Sequence, residues 1–446
     1  MYMNSKLSVL LPGRDTESGN VCGTPLNAVL SAQQSKRKDQ RINLDPLFRA
    51  RSFPHEDAKM RAQSVEKRRG GNGANVLQVL SQFQPILAYS YSPTRSDVQN
   101  NKNVMDSYLV SVLAGDTPSA EVPVRNTESS FIVNDLLVNT PNVSLKHCVF
   151  RGAGYSEPTA WIIATDKSRT IVNHTTLPEL TAVEFKTMLA PTLEELFTLQ
   201  PSSLWFHFEG RNVSEMEQMV DWLIEVRTLQ VAKCEALGWW KSIDGRNSKR
   251  TTEDSEFGTS PSALSPITNS ALGISPGGNA LGKRESKEGL QSVSLEQQEI
   301  SPHFTISVEF EKPNRPGLDN LLQKADILFF SKWYAEGRGF PNAPTGFLDN
   351  IRRECKAGAV LFLTWAEQGC FMLINDPTRP AQTHHIPAPP IYPVDTIGAG
   401  DTFAAGVIYG LGLQRWTALS TCEFAVRLAT AKCAQVGFDG LAERVL

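Results

Sequence analysis

Asp401 follows directly on a glycine turn in the run Asp395-Thr396-Ile397-Gly398-Ala399-Gly400-Asp401-Thr402-Phe403. Glycine lets a backbone fold tightly and expose its N–H groups. The apolar, small-residue run Phe403–Leu411 then reads as a buried helix. Free amides and the positive end of a helix dipole suit an anion, above all phosphate. A carboxylate beside that anion is repelled unless it has a task. The task that fits is taking the proton from a hydroxyl that attacks the phosphorus. The competing reading is that Asp401 only caps the helix; Asp395, Thr396 and Thr402 weigh toward a phosphate site.

A second pair of chemically capable side chains lies far upstream. Gly70-Gly71-Asn72-Gly73-Ala74-Asn75 precedes apolar residues at Val76, Leu77, Val79, Leu80 and Phe83, a helical spacing. Two asparagines three apart share one face of a first helical turn. Their amides both donate and accept, so they can grip the vicinal hydroxyls of a sugar. Asparagine also serves as a cap or turn former, and that reading competes here.

The elements around these motifs predict a layered α/β fold. From 304 onward the chain alternates strand and helix: Phe304–Phe310, Ile327–Phe330, a helix near 345–355, and Ala359–Thr364. Such continuous apolar runs mark parallel strands buried on both faces. Right-handed crossovers between them give a three-layer α/β/α sandwich with ligands at the carboxyl ends of the strands. Residues 203–210 read as a core strand, 212–234 as a long helix and Tyr108–Ala114 as a buried strand. Residues 158–173 read as a hairpin that joins the 57–68 segment in a small sheet outside the main domain. Pro46 argues against a central strand at 41–54. Residues 1–40 read as a disordered extension and 243–301, rich in Ser, Thr, Gly, Asn and Pro, as a disordered insertion within a domain spanning 41–446.

Composition narrows the function classes. Lys+Arg 44 against Asp+Glu 47 leaves a net charge of −3, which gives no footing for a general nucleic-acid or membrane-surface role. No apolar run reaches the length of a membrane span. Seven scattered cysteines without a C-x-x-C pair suit reduced thiols in the cytoplasm.

The run 395–403 resembles the second signature of the pfkB (ribokinase-like) carbohydrate kinases, D-T-x-G-A-G-D-x-F, at all its fixed positions, and 70–75 resembles the first, G-G-N-x-A-N. Further similarity is to the ketohexokinase group of that family. It is carried by Pro54-x-Glu56-Asp57-x-x-x-Arg61, Ser168-Arg169-Thr170-Ile171-Val172, His207-Phe208-Glu209-Gly210-Arg211-Asn212, Ser307–Pro313, Trp365-Ala366-Glu367-Gln368-Gly369 and Lys432-Cys433. The resemblance implies an ATP-dependent kinase that uses Mg²⁺ and phosphorylates a primary hydroxyl of a ketose such as fructose. A ribose or nucleoside kinase and a catalytically silent sugar- or nucleotide-binding relative are the alternatives. Carried over, Asp401 is the catalytic base, and Gly398, Ala399 and Gly400 form the anion hole. Asn72, Asn75, Gly71 and Asp45 hold the sugar, and Ala366, Glu367, Gly369 and Cys433 face the nucleotide. The small sheet, near 55–69 and 156–175, becomes a lid and an implied homodimer contact. Two stretches depart from the pattern. No apolar strand precedes Asp45, and 85–103 is polar and lacks the family's glycine turn. The metal ligands are unassigned, because Ser331-Lys332-Trp333-Tyr334 replaces the N-x-x-E found in many of these enzymes.

Overall fold

Alternate side chains of the apolar strands point to opposite faces, and the structure, a computed structural model, uses both. It describes residues 29–32, 44–84, 105–115, 127–140, 142–152, 154–165, 169–199, 204–236 and 304–446. Phe330, Leu361 and Leu363 enter one buried cluster, while Phe329, Val360 and Phe362 enter another. Helices Ala182–Leu199, Val213–Ala236 and Pro344–Ile351 cover the first through residues such as Phe185, Met219 and Phe347. Helices Asn72–Ser81, Thr127–Asn139, Ala399–Val407 and Ala418–Cys433 cover the second through Leu77, Ile132, Phe403 and Phe424. Two cores on opposite faces of one sheet make the expected α/β/α sandwich.

From one edge the main sheet runs His384–Ile386, Cys370–Ile374, Val360–Thr364, Ile327–Ser331, Phe304–Phe310, Leu204–Phe208, Val29–Ala32, Ser107–Val110 and Val143–Ser144. Cys370–Ile374 pairs antiparallel with both of its neighbours, and all the remaining pairs are parallel. The parallel strands therefore deliver their carboxyl ends to one edge of the sandwich.

Val29–Ala32 corrects two expectations. It is an ordered strand inside the stretch read as a disordered extension, and it supplies the strand expected to be missing ahead of Asp45. It lies between Leu204–Phe208 and Ser107–Val110, parallel to both. Four residues in a polar segment give no periodic signal; pairing on both sides is what makes them a strand. The remainder of 1–43, the 85–103 stretch and the 243–301 insertion lie outside the described residues.

The smaller sheet has the order Ser64–Arg69, Leu44–Arg49, Thr159–Ala164, Arg169–His174. The 158–173 hairpin forms as expected, Thr159–Ala164 pairing antiparallel with Arg169–His174. Leu44–Arg49 is a central strand in spite of Pro46. Its parallel register to Thr159–Ala164 holds at Leu44 and from Leu47 to Arg49 but skips Asp45 and Pro46. Proline has no N–H to give a ladder, so the ladder opens where it sits and Asp45 is released with it.

Candidate active site

The two glycine motifs come together at the carboxyl ends of the parallel strands. They line one cavity of about 460 Å³, bordered on its far side by the small sheet. The Ala399–Val407 helix starts behind Gly398, whose φ of 81° lies in the left-handed region. A Cβ at that position would meet the Phe438 ring at 2.4 Å, so both conformation and space require glycine. No side chain caps this helix. Asp401, in its first turn, bonds instead across the cavity: Asn75 Nδ2 donates to Asp401 Oδ2 at 2.7 Å. The cap reading of Asp401 is thereby replaced. The Asn72–Ser81 helix likewise has no side-chain cap, its N-cap being Gly71 at φ 105°. Asn72 Nδ2 donates to Glu309 Oε2 at 3.1 Å.

The environment sets these groups chemically. Burial raises Asp401 to about 7; the negative charges of Glu309 and Glu311 push the same way, against the Asn75 hydrogen bond and the charge of Arg211. Asp45 also rises to about 7 through burial, although Arg69 and Arg68 oppose the shift. Its Oδ1 is buried without a hydrogen-bond partner among the described residues. Asp45 reaches the cavity because Gly70 has no side chain: a Cβ there would lie 2.3 Å from Asp45 Oδ2.

A layer of residues that sequence reasoning gave no role holds the two motifs in place. Glu209 and Glu309 end adjacent strands. Glu209 Oε1 accepts from Gly73 N at 2.5 Å, and Glu309 holds Asn72. Burial lifts Glu209 to about 8. Burial also acts to raise Glu309, but hydrogen bonds from His207 and Asn72 and the charges of His207 and Arg211 bring it below its ordinary value. Arg211 lies 3.2 Å from Glu209 and 3.4 Å from Glu311. Arg69 donates to Asn75 Oδ1 at 3.1 Å and to Gln78 Oε1 at 2.5 Å, and pairs with Asp135 at 2.6 Å. The fully buried Lys432 reaches the Asp395 carbonyl at 2.9 Å and its carboxylate at 3.4 Å. The signal that could have found Glu209, Glu309 and Glu311 is their position: charged residues closing or interrupting apolar strands at the end where ligands bind.

The nucleotide-side residues are not drawn into this cavity. Ala366 and Glu367 form a short turn after Val360–Thr364, with Ala366 in the left-handed region at φ 47°. Gly369, at φ 87°, packs on the neighbouring edge: a Cβ there would meet the Ile386 carbonyl oxygen at 2.2 Å. The Cys433 carbonyl accepts from Val394 N and Asp395 N at 2.7 and 3.2 Å, which fixes the start of the glycine turn. Ser331, where N-x-x-E would begin, caps the Lys332–Gly337 helix by accepting from Tyr334 N at 3.0 Å.

Comparison with known proteins agrees with this geometry. Residues 305–443 match the pfkB family carbohydrate kinase profile. The chain is 25% identical to mouse (Mus musculus) ketohexokinase over 402 residues, 90% of this chain and 96% of that protein. Among solved structures, ribokinase from Giardia lamblia superposes with a TM-score of 0.55 at 10% identity, covering 93% of this chain and 94% of the other. Ribokinase from Cryptococcus neoformans, solved with ADP, gives a TM-score of 0.51 at 12% identity.

 The Cryptococcus superposition spans 94% of this chain and 99% of that one. At these identities the structural likenesses establish the fold. The profile match over 305–443, the mouse relative and the two glycine motifs meeting in one cavity indicate a phosphotransferase that acts on a sugar hydroxyl, similar to the pfkB carbohydrate kinases.

Proposed function

We propose that the protein transfers the γ-phosphoryl group of ATP to a primary hydroxyl of a ketose such as fructose. The observation that carries this reading is the 2.7 Å hydrogen bond from Asn75 to Asp401. It joins the motif suited to hydroxyls to the motif suited to phosphate at one point in one cavity. Asn72, Asn75 and Asp45 orient the sugar, and the orphaned oxygen of Asp45 awaits a hydroxyl donor. The positive φ at Gly71 lets the chain turn tightly before Asn72. Asp401 takes the proton of the attacking hydroxyl, a contribution of about 10²- to 10⁴-fold. With a pKa of about 7 it is a stronger base than an ordinary aspartate and still substantially ionised near neutrality. The amides of Gly398, Ala399 and Gly400 receive the charge of the transferring group. Ala366, Glu367, Gly369 and Cys433 border the nucleotide, beyond the cavity that holds the sugar.

Among the described residues no group of three or more ligating side chains could form a metal cage. Mg²⁺ carried by a nucleotide needs only one or two carboxylates, its other ligands being phosphates and water. Glu311, which lines the cavity, fits that need. When bound, Mg²⁺ offsets negative charge on the phosphates. The reading also includes a cytoplasmic protein that dimerises through the lid, supported by Val65, Trp161 and Val172, 63%, 40% and 58% exposed on the strands of the small sheet. Light scattering tests the dimer.

The deciding assay is ADP release with Mg-ATP and fructose, other ketoses, ribose or adenosine, with Asp401→Asn run alongside. Turnover dependent on a ketose and lost in the variant is the expected result. Preference for ribose or adenosine overturns the ketose assignment, and wild-type turnover that persists in the variant overturns the role of Asp401.

A further inference from the structure

A sheet covered on both faces should carry apolar side chains throughout its central strands. Two of these strands break that rule. Leu204–Phe208, continued by Glu209, lies beside Phe304–Phe310, with His207 opposite Ser307. At alternate positions on one face they carry Trp205, His207 and Glu209, and Ser307 and Glu309. Trp205 places that face in the core covered by the Asn72–Ser81 and Ala399–Val407 helices. His207 is fully buried and lies behind the cavity wall. Its ring meets that of Phe329 nearly at right angles, centroids 5.6 Å apart.

A buried polar row costs stability unless its members are paired. Here each pairs with the next, and the pairing has a direction. Trp205 Nε1 can only donate, and it donates to Ser307 Oγ at 2.8 Å. Ser307 Oγ lies 2.9 Å from His207 Nδ1, and His207 Nε2 lies 3.1 Å from Glu309 Oε1. A carboxylate can only accept, so Nε2 carries a hydrogen and donates. In the neutral ring Nδ1 then accepts from the Ser307 hydroxyl, which fixes the ring's tautomer and orientation. Glu309 Oε2 accepts in turn from Asn72 Nδ2 at 3.1 Å, the one side-chain hydrogen bond of Asn72 among the described residues. An amide carries its oxygen opposite its nitrogen. With Nδ2 committed to Glu309, Oδ1 is the acceptor that Asn72 offers to the cavity it lines.

We propose that His207 is a positioning residue for the sugar: held by Ser307, it fixes Glu309 so that Asn72 presents its amide oxygen to a sugar hydroxyl. The inference rests on the phosphoryl-transfer reading above and deepens it. His207 itself touches neither substrate. Without its N–H, Glu309 loses the bond that sets its rotamer, and the Asn72 amide loses the anchor that decides which of its ends faces the hydroxyl.

The test compares the steady-state kinetics of wild type, His207→Leu, His207→Gln and Ser307→Ala, and closes a cycle with Asn72→Ala. The substrates are Mg-ATP and whichever of fructose, other ketoses or ribose wild type turns over. Glutamine returns an N–H donor near the place of Nε2; leucine does not. We expect His207→Leu to raise the sugar KM about 10- to 100-fold, as loss of a hydrogen bond to a charged group does. The ATP KM and kcat should each change less than about threefold. His207→Gln should bring the sugar KM back to within about threefold of wild type, and Ser307→Ala should raise it about three- to tenfold. Adding His207→Leu to Asn72→Ala should change the sugar KM by less than about threefold, because His207 acts through Asn72. A His207→Leu sugar KM within about threefold of wild type overturns the proposal. So does an equal rise in the ATP KM, a glutamine variant no better than the leucine one, or losses that multiply in the double variant; each of these leaves His207 a support of the core alone. Should His207→Leu fail to fold, Ser307→Ala carries the test, and an unchanged sugar KM there overturns the proposal. The wild-type arm separates the two readings. No turnover there sinks the kinase assignment and this inference together; wild-type turnover with an indifferent His207→Leu sinks only the inference.

Discussion

Asp401→Asn should make the folded protein more stable while it removes activity, and the gain in stability should grow with pH. Burial raises Asp401 from 3.8 to about 7. Between those values the folded protein holds a proton that the unfolded chain has released. Stability therefore falls as pH rises through this window and levels off above it. At about 1.4 kcal/mol per pH unit, the cost of the ionisable side chain is about 2 kcal/mol at pH 5.5 and about 4 kcal/mol at pH 8.5. Asparagine carries no charge to desolvate and still offers an oxygen to Asn75. The difference between variant and wild type should then widen by about 2 kcal/mol over these three pH units. For a chain of 446 residues, an unfolding entropy of about 2 cal/mol/K per residue converts 1 kcal/mol to about 1 °C. Ligand-free thermal scans should show Asp401→Asn melting about 2 °C above wild type at pH 5.5 and about 4 °C above it at pH 8.5. Glu209 changes the slope in the same direction, because the charge of Asp401 is one of the causes that raise it. A variant that melts below wild type at pH 8.5, or a difference that does not change with pH, would refute the claim that the cavity holds Asp401 against its ionisation.

Three further perturbations probe the supports of the site. Asn75→Ala removes the hydrogen bond that favours ionised Asp401, so the acid limb of kcat/KM, expected near 7 in wild type, should move to higher pH; a limb left in place shows that the contact does not tune the base. Gly210→Ala would put a Cβ 2.0 Å from the Glu309 carbonyl oxygen at a φ of +38°, and should cost more than about 2 kcal/mol of stability, read as a fall in the urea midpoint. Lys432→Met strips a buried partner from Asp395, which should cost about 3 kcal/mol or more and lower kcat with it; an unchanged melting temperature would show that Arg68 alone suffices to hold Asp395.

What the sequence disclosed and what it hid divide along physical lines. The strands Phe304–Phe310, Ile327–Ser331 and Val360–Thr364 were legible because burial on both faces demands unbroken apolar runs. The glycine motifs were legible because their backbone geometry excludes other residues, as the 2.4 Å approach to Phe438 shows at Gly398. Val29–Ala32 left almost no mark, since a four-residue strand between two partners takes its stability from their hydrogen bonds and not from a pattern of its own. Leu44–Arg49 was hidden by Pro46, yet the ladder opens at that proline and frees Asp45 to face the cavity. The charged supports were least legible of all. Arg69 joins Asn75 to Asp135, and Glu309 joins Asn72 to His207, across separations of tens to hundreds of residues. A residue that acts by holding another has no local spacing to betray it; only the fold that closes the distance gives it a role. That is why the motif residues could be named from the sequence, whereas the acidity of Asp401, which depends on burial and on Glu309 and Glu311, could not.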